Sequence, residues 1–185
     1  MMCLSPLSVA PPETDFGALV QMIDEPLSDV HYWCLKHEAS ADDIQNPYFY
    51  LGGPIRLTFG NGRQVFLVCE ERPKGPSRHV VLARREREWL PDYYRDFNAT
   101  GAPVWKHILG SRLRQIDVMG WKGAPNVAAL TFERGTVYVG TGYAGTFGDG
   151  DDVMVRGHHA FWTAPEVQSL RILASLYTTS YPVAA

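Results

Sequence analysis

The residues best placed to do chemistry are the aspartates of the run Gly148-Asp149-Gly150-Asp151-Asp152. Closely spaced carboxylates offer the hard oxygen ligands that calcium or magnesium takes, so Asp149, Asp151 and Asp152 form the best metal candidate in the chain. His158 or His159 could add an imidazole, giving one histidine with two carboxylates, a set that suits a divalent metal and a hydrolase-like activity. The two histidines are adjacent, so in a strand their rings point to opposite faces and only one can join an ion. A calcium-binding helix-loop-helix would need a closing glutamate at the twelfth position counted from Asp149, and Ala160 stands there. Aspartates in glycine-rich turns more often bond their own backbone, which is the plainer expectation for this loop.

Just upstream, Gly140-Thr-Gly142-Tyr-Ala-Gly145 satisfies the spacing of a dinucleotide fingerprint and follows a predicted strand. That motif works by setting a pyrophosphate at a helix N-terminus. The sequence after it, TFGDGDDVMV, carries two more glycines and a short branched segment that will not propagate a helix. The expectation is a strand-connecting loop, with no nucleotide and no resident cofactor.

Nucleophile signatures are missing. No serine lies in Gly-x-Ser-x-Gly, and there is no His-Glu-x-x-His or Walker lysine. Cys34 and Cys69 sit inside apolar runs, where a thiol behaves as a small hydrophobe, and Cys3, Cys34 and Cys69 lack zinc-ligand spacing. His31, His37, His79 and His107 are isolated in the chain. The emphasis therefore falls on surface chemistry. Trp121 lies between glycines, Tyr143 does too, and Phe147 precedes the acidic tip, so these three with Asp149, Asp151 and Asp152 are the candidate contacts for a protein partner.

The elements that must position these residues are mostly strands. Ile55–Cys69 reads as a hairpin, IRLTF and VFLVC around Asn61-Gly62, with Ile55, Leu57 and Phe59 on one buried face. Leu130–Val139 repeats its Leu-Thr-Phe and its glycine-bearing turn, which places two similar hairpins in one antiparallel sheet system over a common apolar layer. Val30–Leu35 and His79–Ala83 read as further strands. Arg112–Met119 does as well, although Leu113, Ile116 and Val118 fit no single period. Phe16, Leu19, Val20 and Ile23 mark a short helix capped by Thr14 or Asp15 and ended by Pro26. Near the C-terminus, Thr163 and Glu166 form a capping box. It opens a helix with Val167, Leu170, Leu173, Leu176 and Tyr177 as its apolar stripe, before a loose SYPVAA tail.

These elements define an α+β fold: one domain over residues 14–180 behind a flexible lead-in of residues 1–13, mainly antiparallel sheet built from two similar hairpins, with the C-terminal helix packed on it. The net charge of −3 provides no field to gather nucleic acid. No window approaches the ~20 apolar residues of a membrane span, and the N-terminus shows no signal-peptide pattern, so the expected location is the cytoplasm. The repeated glycine-turned hairpins with acidic tips resemble, in cadence alone, small bacterial accessory or toxin-neutralising proteins. The expected function is a non-enzymatic protein that docks a protein partner. A metal-dependent enzyme on the acidic loop and a small-ligand-binding domain are the alternatives, and a homo-oligomer is compatible with all three.

Overall fold

The computed structural model describes residues 16–35, 50–51, 53–72, 74–75, 77–85, 94–121, 124–143, 146–150, 152–157, 163–176 and 178–183. In chain order the elements are α1 (Gly17–Val20), β1 (Leu27–Leu35), β2 (Tyr50–Leu51), β3 (Ile55–Phe59), β4 (Gln64–Glu71), β5 (His79–Arg84), β6 (Tyr94–Asn98), α2 (Pro103–Lys106), β7 (Leu113–Trp121), β8 (Ala124–Phe132), β9 (Gly135–Tyr143), β10 (Thr146–Phe147), β11 (Asp152–Arg156), α3 (Ala164–Leu176) and β12 (Thr178–Pro182). They build two antiparallel sheets, one in the order β5-β4-β3-β1-β6 and one in the order β12-β7-β8-β9-β11-β2 with β10 attached to β9. Among the described residues no helix is long and apolar enough to cross a membrane.

The Asn-Gly turn forms for local reasons. The Asn61 side-chain oxygen accepts the N–H of Arg63 at 2.9 Å, and Gly62 takes a φ of +78°, which a residue with a Cβ adopts only with strain. Ile55, Leu57 and Phe59 then alternate inward. The second hairpin, β8–β9, shares the Leu-Thr-Phe strand but turns more tightly, through Glu133 and Arg134 alone, and it belongs to the other sheet, so the two hairpins lie in two antiparallel sheets and not in one. Each hairpin pairs with its own neighbour, β3 with β1 and β8 with β7. The common apolar layer does exist, because the two sheets face each other across it. Leu57 and Phe59 from one repeat and Leu130 and Phe132 from the other belong to one buried cluster. At its centre Trp105 is fully buried and its indole N–H donates to the Tyr32 hydroxyl at 2.5 Å, which satisfies two polar atoms that would otherwise oppose burial. Burial pushes the Tyr32 phenol well above its usual range against the opposing effect of that bond.

The broken period of β7 has a simple cause. Its register with β8 shifts between Leu113 and Gln115, a bulge that lets Leu113 and Ile116 face the same core at an odd spacing. The N-terminal helix is only one turn and buries Leu19; Phe16 before it and Met22 after it are also buried, with Val20 and Ile23 packed against the core at its margin. Thr14 and Asp15, the expected caps, lie outside the described residues, as does the lead-in. The C-terminal segment is not loose: Thr178–Pro182 pairs with β7, Tyr181 opposite Ile116, and Tyr181 packs on the core. An apolar ring at that register has a partner surface, which is why the strand forms.

The capping box of α3 is present in full. The Glu166 carboxylate accepts the Thr163 N–H at 2.7 Å and its hydroxyl at 2.8 Å, while the Glu166 N–H reaches the Thr163 hydroxyl at 3.4 Å. The buried stripe is narrower than its sequence pattern, comprising Glu166, Leu170 and Leu173. Leu176 is exposed, and Tyr177 lies outside the described residues. Glu166 also meets Arg156 of β11 at 2.7 Å, an ion pair almost fully buried between sheet and helix.

Candidate functional site

The glycine-rich run is strand, not phosphate loop. Gly140 and Gly142 lie within β9, and the next element along the chain is the short strand β10. A Cβ on Gly140 would stand 2.5 Å from the Asn126 carbonyl oxygen, and one on Gly142 would stand 2.3 Å from the Met154 sulfur and 2.4 Å from the Thr146 carbonyl oxygen. A Cβ on Gly150 would come within 2.0 Å of the Gly142 carbonyl oxygen. These glycines let β8, β9, β10 and the acidic loop approach more closely than any other residue allows. Gly145 lies outside the described residues.

Phe147 fills part of the space so formed. It sits opposite Gly142 in the β9–β10 pair and packs with Met119, Val127, Met154, Leu170 and Leu173 beneath α3. At 2% exposure it is a core residue and not a surface anchor, which corrects its reading from the sequence. Its neighbours in the chain are glycine, threonine and aspartate, so only the strand pairing reveals its burial.

Asp149 is held firmly. One carboxylate oxygen accepts the main-chain N–H of Arg78 at 2.9 Å, and the other accepts that of His79 at 2.7 Å and lies 3.2 Å from the His79 ring nitrogen. Burial would raise this carboxyl, but the two main-chain N–H groups and the His79 ring prevail and hold it below the usual carboxylate range. Next to it Asn126, fully buried, donates to the Ser77 hydroxyl at 2.7 Å and the His79 carbonyl at 2.9 Å and accepts the Trp121 N–H at 3.1 Å. Thr141 donates to the Gly148 carbonyl at 2.7 Å. The acidic loop is thereby fastened to the start of β5 in the opposite sheet.

This arrangement uses both Asp149 oxygens internally. Among the described residues no three histidine, cysteine, aspartate or glutamate side chains converge on a point where an ion could sit. Asp151, His158 and His159, together with the side chain of Asp152, lie outside the described residues.

Among the described residues, Trp121 and Tyr143 are the large aromatic side chains that stand well into solvent, at 42% and 73% exposure. Trp121 ends β7 opposite Ala124, the first residue of β8. Val127, three residues into β8, pairs with Gly140, three residues before Tyr143, so Ala124 and Tyr143 reach the sheet end together. The two aromatics therefore flank β8, their backbones about 10 Å apart at two strand spacings. Thr178 pairs with Met119, which brings the C-terminal end of α3, with exposed Leu176, to the same sheet end. Trp33 and Trp105 are buried, and Trp89 and Trp162 lie outside the described residues.

A charged cluster on the five-stranded sheet gives no sign in the sequence. His31 of β1 lies with one ring nitrogen 2.5 Å from Asp96 of β6 and the other 3.0 Å from Asp29. Arg56 of β3 stands 3.6 Å from Asp29 and 4.0 Å from Asp96, and the Thr100 hydroxyl donates to Asp29 at 2.6 Å. The two carboxylates occupy opposite edges of the imidazole, so they cannot share an ion with it. Both ring nitrogens are engaged by carboxylates, which leaves neither to serve a nucleophile. The arrangement fastens β6 to β1. Its partners are 65 residues apart, a separation no local pattern bridges.

Comparison of the chain with protein families, with curated protein sequences and with solved structures finds no match. The functional reading therefore rests on geometry.

Proposed function

We propose that this chain is a non-enzymatic binding protein that docks a protein partner on the end of the seven-stranded sheet marked by Trp121 and Tyr143. The observation that supports this reading is the joint exposure of these two aromatics on either side of β8. Tryptophan and tyrosine supply large, rigid contact area at small entropic loss and dominate binding energy where they anchor an interface. Ile172 and Leu176, one turn apart on α3 and both exposed, extend the apolar character of this side. Asp149 shapes the adjoining loop through its main-chain bonds, and with Asp151 and Asp152 it makes that stretch of sequence acidic. A partner with an apolar recess and a basic margin is the complementary surface. An accessory or toxin-neutralising role is the form of this reading that suits an acidic chain meeting a basic protein.

The test is affinity capture from native cell extract with the wild-type chain and with a Trp121→Ala, Tyr143→Ala double variant checked for folding by circular dichroism. The wild type is expected to retain a defined protein that the double variant loses. Repeated captures that return nothing from a monomeric wild-type protein overturn the reading. Equal retention by the double variant moves the interface elsewhere.

A further inference from the structure

A second surface is independent of the docking end. Between α1, the β3–β4 turn and the end of β5 lies a cleft of about 250 Å³ lined by Ala18, Gln21, Met22, Arg63, Gln64, Val65 and Arg85. Its apolar side is Ala18, Met22 and Val65, with Met22 and Val65 buried. Its polar side carries two guanidinium groups. Arg85 donates to the neutral side-chain oxygen of Gln21, and neither Arg63 nor Arg85 has a carboxylate partner among the described residues. Other arginines differ: Arg84 pairs with Glu70, Arg78 with Glu71 and Arg114 with Asp24 and Glu133. In a chain whose formal charge is −3, this cleft sets two guanidinium groups that have no carboxylate partner among the described residues beside apolar walls.

We propose that this cleft binds a small organic carboxylate with an apolar body. A guanidinium presents parallel N–H donors that match the two oxygens of a carboxylate, and two such forks facing one recess can hold the anion from different sides. Gln21 and Gln64 carry amide groups that both donate and accept, which suits a ligand bearing a further polar substituent. Ala18, Met22 and Val65 offer the body an apolar floor, of which half-buried Ala18 is the part in contact with water. The volume is slightly under the usual range for small-molecule sites, so the ligand is the size of a single ring or an amino acid. Inorganic phosphate satisfies the arginines but leaves the floor unused, and a neutral amide of the same shape uses the floor but not the charge. Both should bind less well than the carboxylate.

The experiment is calorimetric titration of the intact chain with benzoate, benzamide and inorganic phosphate at low ionic strength. Benzoate is expected to saturate at millimolar concentration, with benzamide and phosphate each about tenfold weaker. Arg63→Gln and Arg85→Gln should each weaken benzoate about tenfold, and Arg63→Lys should recover only part of the loss because it restores charge without the fork. Both arginine side chains are exposed, so circular dichroism of the variants is expected to match the wild type. Absence of saturation by about 10 mM benzoate, equal binding of benzamide, equal or tighter binding of phosphate, or full benzoate affinity in Arg63→Gln overturns the proposal. The Trp121→Ala, Tyr143→Ala variant should bind benzoate as the wild type does, which separates this site from the docking surface.

Discussion

Asp149 lies in the loop between β10 and β11 of the seven-stranded sheet and His79 opens β5 of the five-stranded one, yet the carboxylate of the first accepts the main-chain N–H of the second at 2.7 Å. With the neighbouring bond to Arg78, this clamps the loop after β10 onto the entry to β5. The loop that looks most like an ion site is thus a strap between the two sheets.

Removing the strap has a pH signature. The folded-state pKa of Asp149 is lowered, so its contribution to stability is present above the ordinary carboxylate range and is lost as pH falls through the lower folded value. Asp149→Asn should cost about 1 kcal/mol at neutral pH, a modest figure because the carboxylate is partly exposed. In urea unfolding the gap between wild type and variant should close below about pH 4. A gap that stays constant to about pH 2 would show that the charge of Asp149 is irrelevant.

Asn126 is the buried counterpart of that strap. Asn126→Ala leaves the Trp121 N–H and the Ser77 hydroxyl without this partner and should destabilise the chain by about 1–3 kcal/mol. It should also weaken partner capture, because Trp121 loses a bond that fixes its backbone. Chemical denaturation and the capture assay read the two effects separately.

Three glycines can be ranked by substitution with alanine. Gly142→Ala drives a methyl into Met154 and the Thr146 carbonyl and should cost more than about 2 kcal/mol. Gly62→Ala meets open space but must hold a φ of +78°, which should cost about 1 kcal/mol. Gly101→Ala meets nothing and should be neutral within about 0.5 kcal/mol. Thermal melts in any other order would overturn the packing account of the glycine run.

The pair Arg156–Glu166 is sealed between β11 and α3, with side-chain exposures of 3% and 4%. Glu166→Ala removes the carboxylate half of the α3 capping box and takes the counter-charge from a buried guanidinium, so a loss of about 3–5 kcal/mol is expected. Glu166→Gln keeps hydrogen-bonding atoms and should lose less. Wild-type stability in Glu166→Gln, measured by urea unfolding, would show that the charge adds nothing to the bond, and a loss as large as that of Glu166→Ala would show that the neutral amide recovers none of it.

What could be read from the sequence was local in the chain. Asn61-Gly62 and the Thr163–Glu166 box are made by residues one to three apart, so their chemistry is complete within a few letters. The failure of the glycine fingerprint was legible for the same reason, since the helix it needs would have to begin in the adjoining residues. The bulge at β7 showed only as a broken period, because its cause is the register with β8. Phe147 was misread because its burial depends on Gly142 across a strand pair and on a helix that starts at Ala164. The cluster of His31 with Asp29 and Asp96 was invisible, as it needs β1 and β6 side by side. The strand at Thr178–Pro182 was missed because a short polar segment becomes strand only when an edge is there to receive it.

The contrast between Trp105 and Trp121 has an optical consequence. Trp105 is sealed in the core with its indole N–H on a tyrosine oxygen, whereas Trp121 meets solvent at the sheet end. A soluble quencher should therefore reach the fluorescence of one ring and not the other. Shielding of the Trp121 ring on complex formation, isolated by difference from a Trp121→Phe variant, would report occupancy of that end without any label, while the unquenched Trp105 ring reports whether the fold is intact.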